Sequence, residues 1–64
     1  MKVDRKKLEI AMANACMNTE HLQNAAQIPR PTLNNVIVGK NVRPATMGAV
    51  AKALGVDVTE IIEQ

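Results

Sequence analysis

The sequence predicts an all-α domain of five short helices, and three observations carry that expectation. Apolar residues recur at helical spacing, and no stretch shows the strict alternation of a strand. From residue 29 onward, Pro29, Pro31, Gly39, Pro44 and Gly55 mark the boundaries of those apolar runs. Phe, Trp and Tyr are absent, so the core must be built from Leu, Ile, Val, Met and Ala, which suits close helix packing better than a sandwich or barrel. With 64 residues and no linker-like segment, the chain has room for one core and is read as one domain over residues 1–64.

Each element follows from local signals. Asp4 is placed to cap a first helix, with Leu8, Ala11, Met12, Ala15 and Cys16 inward and Lys6 and Lys7 outward. Asn18 caps a second helix over residues 19–26, with Met17 and Leu22 in the positions of a hydrophobic staple and Leu22, Ala25 and Ala26 inward. Pro29 disfavours helix at Ile28, so the second helix must end there. Pro31 in turn pushes Arg30 out of the helical region while suiting a first turn, so a third helix is expected over residues 31–38, ended by a left-handed Gly39. Residues 40–43 form a loop. Pro44 opens a fourth helix whose Met47, Val50, Ala51 and Leu54 stand at i, i+3, i+4 and i+7, with Gly55 as its stop. Asp57 and Glu60 form an acidic capping box for a fifth, short helix carrying Ile61 and Ile62.

Charge is unevenly placed. The net charge is only +2, but residues 21–56 hold Arg30, Lys40, Arg43 and Lys52 without one carboxylate, whereas residues 57–64 hold only Asp57, Glu60 and Glu63. An acid-free basic segment is what a polyanion-facing surface needs, although a solvated basic surface without a partner has the same composition. Cys16 is the only cysteine, which excludes an intrachain disulfide and a multi-cysteine zinc site and fits a reducing cytoplasm. No apolar run approaches the roughly 20 residues of a bilayer span, and the charged start is not followed by the apolar stretch of a signal peptide. Cytoplasmic location without membrane contact is therefore expected. His21 lacks a second ligand at metal spacing, so no metal is expected. No nucleophile–base pair, paired carboxylates or phosphate-binding glycine loop is present, so neither an enzyme activity, a small-molecule substrate nor a cofactor is expected.

Two short helices joined by a tight turn, followed by Leu33-x-x-Val36-x-x-Gly39-Lys40-x-x-Arg43-Pro44, resemble the Cro/repressor-type (XRE family) helix-turn-helix domains. The resemblance runs from Met17 to Leu54, and residues 54–62 look like the family's closing helix. Thr19, Gln23, Gln27, Pro29 and Pro31 depart from the usual pattern, Gln27 standing where a turn glycine is common. The resemblance implies a compact repressor-like domain of prokaryotic or phage type that binds double-stranded DNA as a homodimer. Its recognition helix, about residues 30–38, would lie in the major groove. It further implies base contacts from Arg30, Pro31, Thr32, Asn34 and Asn35. Arg30 suits guanine, Asn34 or Asn35 suits adenine, and Pro31 and the Thr32 methyl suit a thymine methyl. Phosphates would be held by Asn18 and Thr19 at the start of the second helix and by Lys40, Asn41 and Arg43 in the loop. Many members of the family pair a first-helix Arg with a Glu ending the recognition helix. Met12 and Ile37 stand there in this chain and should pack together as an apolar replacement. Val38, apolar at the exposed end of the same helix, either meets a partner subunit or is simply tolerated. The rival to DNA binding is a protein-interaction module or antitoxin using the same fold.

Overall fold

The computed structural model describes residues 1–63, and among these the chain forms four α-helices and one 3-10 turn. The helices are α1 (Arg5–Asn14), α2 (Thr19–Ala26), α3 (Arg30–Ile37) and α4 (Pro44–Leu54), and the 3-10 turn spans Val58–Glu60. The expected fifth helix is thus a single turn. Its Asp57–Glu60 capping box does form, but Ile61 leaves the helical region at φ −126° and Ile62 pairs with Val3 instead. Backbone bonds with residues 2–4 take over the groups that further helix would have used: Asp4 N–H donates to the Ile61 carbonyl and Glu63 N–H to the Lys2 carbonyl.

The caps are those the sequence specifies. The Asp4 side chain accepts from the Lys7 N–H, and the Asn18 side chain accepts from the His21 N–H at 2.8 Å. His21 completes that box by accepting the Asn18 N–H through Nδ1 at 3.5 Å, a role its isolation in the sequence did not suggest. Asp57 accepts from both the backbone N–H and the hydroxyl of Thr59. These bonds, the backbone one foremost, hold its carboxyl below the ordinary aspartate range. The cap is therefore in place at neutral pH and is lost as the pH falls far enough to protonate it. Gly39 and Gly55 end α3 and α4 with φ of +85° and +72°.

Two non-glycine residues also take the left-handed conformation. Gln27, at φ +56° and ψ +45°, makes the turn between α2 and α3. Such a conformation costs an L side chain roughly 1–2 kcal/mol. Because Gln27 is exposed, Gln27→Gly should relieve most of that strain and lose only the glycine's extra chain entropy. A net gain of about 0.5–1 kcal/mol is expected in urea unfolding. An unchanged or lower midpoint would mean that the glutamine side chain supports the turn. The second such residue is Cys16, also at φ +56°. It stands just past α1, where its N–H donates to Ala13 and the Met17 N–H reaches back to Met12. This turn carries the thiol away from the inward stripe, so Cys16 is exposed and not the core residue the periodicity predicts.

The core consists of Val3, Leu8, Ala11, Leu22, Leu33, Val36, Met47, Val50, Ala51, Leu54 and Ile61. α2 packs chiefly on α4, and the closing turn covers α4 and α1. Lys7 is half-buried, not outward, and Ala25 is exposed although expected inside. Burial of the short α2 is concentrated in Leu22, which is fully enclosed. Met12 and Ile37 are both half-buried against the core and line one groove.

A feature with no local signature closes the fold. Residues 1–3 run as an extended strap bonded on both sides. Met1 N donates to the Val42 carbonyl at 2.8 Å, and Val42 N–H donates back to the Met1 carbonyl at 2.7 Å. On the other side, Glu63 N–H donates to the Lys2 carbonyl and Asp4 N–H to the Ile61 carbonyl. Val3, 1% exposed, anchors the strap in the core.

Candidate nucleic-acid interface

α3 is built to show one face. Leu33 and Val36 are fully buried, while Arg30, Pro31, Asn34, Asn35 and Val38 are exposed. Arg30 is already helical, one residue earlier than the restriction imposed by Pro31 suggests, because the extended Pro29 at ψ 150° serves as N-cap. Pro29 has no side-chain acceptor, so the first N–H groups of α3 carry no side-chain cap. A helix start of this kind favours negative charge, and Arg30 strengthens that preference.

The end of α3 is fastened to the loop that follows. Gly39 N–H donates to the Val36 carbonyl and Lys40 N–H to the Asn35 carbonyl, at 3.1 and 2.9 Å. The Arg5 stem lies across this turn, 3.9 Å from where a Gly39 Cβ would stand. That position adds a basic residue of α1 to the neighbourhood of the loop, although no motif singled Arg5 out.

Beyond the turn, a shallow groove of about 510 Å³ is lined by Met1, Thr32, Asn35, Asn41, Val42, Arg43 and Thr46. It brings Thr32 and Asn35, the expected base readers, against Asn41 and Arg43, the expected phosphate contacts. Met1, Val42 and Thr46 enter through tertiary structure. Met1 and Val42 come by way of the strap, and Thr46 by way of the first turn of α4, whose N-cap Arg43 makes no side-chain capping bond. Arg30, Pro31, Asn34 and Lys40 are exposed outside the groove lining.

Asn18 and Thr19 are placed elsewhere. Asn18 is exposed but uses its side-chain oxygen to cap α2. Thr19 is half-buried in a second groove with Arg5, Glu9, Met12 and Ile37. Its carboxylate, Glu9, makes that groove less hospitable to a phosphate than the acid-free one beside α3.

No helix among the described residues is long and apolar enough to cross a membrane. No curated protein and no solved structure matches the chain at significance. A family model does match, however, over residues 7–64, and on that match, with the α2–turn–α3 geometry beneath it, the chain belongs to the Cro/C1-type HTH DNA-binding domain family.

Proposed function

We propose that this domain is a small transcriptional regulator of the repressor or Cro type that reads a specific duplex sequence with α3 in the major groove. The observation that carries the reading is the groove joining Thr32 and Asn35 to Asn41 and Arg43. One surface then offers amide and hydroxyl groups to base edges and an arginine to the adjoining backbone. Arg30, Pro31 and Asn34 extend the reading surface along α3, and Lys40 extends the backbone contact along the loop. Asn18 and Thr19 contribute phosphate contacts at the start of α2. There the Asn18 N–H and side-chain oxygen are engaged with His21, and the donors are the Asn18 side-chain NH2 and the first-turn N–H groups.

The domain acts as a homodimer on a pseudo-palindromic site with half-sites about 34 Å apart. One module of this size covers too few base pairs to be specific alone. The dimer contact draws on the loop before α4 and the closing segment. Ile61 is fully buried, so the apolar contribution falls to the half-buried Ile62.

Salt dependence tests the reading. With five to eight phosphates neutralised across the dimer, log affinity should fall against log salt with a slope of about −5 to −7. Fluorescence anisotropy on a labelled duplex across a salt series measures it. A slope near zero removes the electrostatic contact, and equal affinity for every duplex removes sequence reading.

A further inference from the structure

We propose that Val38 is a sequence-reading residue whose isopropyl group packs on the 5-methyl of a thymine in the major groove. The assignment rests on the DNA-binding reading above and adds a specificity-determining residue to it. Val38 is 54% exposed and is one of three large apolar side chains, with Met1 and Ile10, that stand exposed among the described residues. It caps α3 with φ −79° and ψ −1°, still helical, so its side chain continues the angular pattern of the helix. At about 100° per residue, with Arg30 at zero, Asn34 stands near 40°, Val38 near 80°, Pro31 near 100° and Asn35 near 140°. The buried Leu33 and Val36 stand near 300° and 240°, on the opposite side. Val38 therefore lies in the middle of the outward arc, between the polar residues expected to meet base edges.

Distance along the axis agrees with this placement. Eight residues beyond Arg30, Val38 lies about 12 Å further along the helix, or roughly three to four base steps. The chain then turns off at Gly39, leaving the side chain uncovered. Valine has no donor or acceptor, and the only apolar group that base pairs present in the major groove is the thymine methyl. A second protein seated on Val38 would also cover Asn34 and Asn35, its neighbours on the arc, and would meet a segment with no carboxylate from residue 21 to 56. Charge and geometry together favour DNA as the occupant.

The test begins with duplexes selected from a random pool for binding to the full chain. Each thymine of the preferred site is then replaced by uracil, which keeps the base pair and removes only the 5-methyl. For the wild type, one thymine per half-site should cost roughly four-fold in affinity when replaced, the fold-change of one buried methyl group. Val38→Ala should be indifferent to that replacement while keeping its thermal midpoint and its salt slope. The proposal is overturned if no thymine distinguishes wild type from Val38→Ala. It is equally overturned if Val38→Ala weakens self-association and leaves the uracil response intact, which would assign the side chain to a second copy. Failure of the parent reading looks different, because the wild type would then show no preference for any selected duplex over random DNA.

Discussion

Leu33→Ala is expected to leave the domain close to unfolding at room temperature and to abolish DNA binding with it. Leu33 is fully enclosed on the underside of α3, where it holds the recognition helix to the rest of the core. Removing a buried leucine to alanine costs about 2–5 kcal/mol, because transfer energy is lost and a cavity is left. A chain of this length has a total stability of only about 3–10 kcal/mol. The midpoint of thermal unfolding, followed by circular dichroism at 222 nm, should fall by at least about 10 °C. Ile10→Ala, at an α1 position 54% exposed, should stay within about 0.5 kcal/mol of wild type and serves as the matched control. Similar midpoints for the two variants would mean that α3 is not anchored through Leu33.

The second large effect separates reading from gripping. Arg30→Ala and Asn35→Ala should each cost about 1–3 kcal/mol on the preferred site and relax the preference at one base position. Arg43→Ala should weaken specific and random duplexes alike and lower the salt slope by about one per subunit. All three side chains are exposed, so thermal stability should barely change and binding losses can be read directly. Truncating Asn35 also spares the carbonyl that accepts the Lys40 N–H, so the loop stays in place. Equal losses on specific and random duplexes for Arg30 and Asn35 would show that α3 does not read sequence. The first turn of α3, built on Pro29 and Pro31, is where such a failure would originate, since the rigid turn sets where Arg30 points.

Much of the surface proposed as the interface is picked out by sequence signals alone. Arg30, Asn35 and Arg43 were singled out by an ordered set of apolar, glycine and arginine-proline positions, each weak alone. Arg5 was not, because its place beside Gly39 depends on how α1 crosses the end of α3. Asn18 shows the reverse case. The same residue type serves a cap or a phosphate contact, and the structure commits its side-chain oxygen to the His21 N–H, which leaves only the side-chain NH2 as a donor.

What the sequence by itself determined is the placement of α1 to α4 to within about two residues, and the caps at Asp4, Asn18, Gly39 and Gly55. Asp4, Asn18, Pro44, Gly39, Gly55 and the Asp57–Glu60 box all act over five residues or fewer, and so does helical periodicity. Local interactions of this kind need no knowledge of distant chain. Only the tertiary structure decided that Cys16 faces solvent, that Ile62 pairs with Val3 in an isolated antiparallel bridge, and that Met1 joins Val42 at the edge of the groove. The first follows from a left-handed turn that glycine would ordinarily announce and cysteine does not. The other two are backbone pairings between segments 41 or more positions apart. Backbone N–H and carbonyl groups are the same in nearly every residue, so such pairings leave no mark in the side chains that sequence reading depends on.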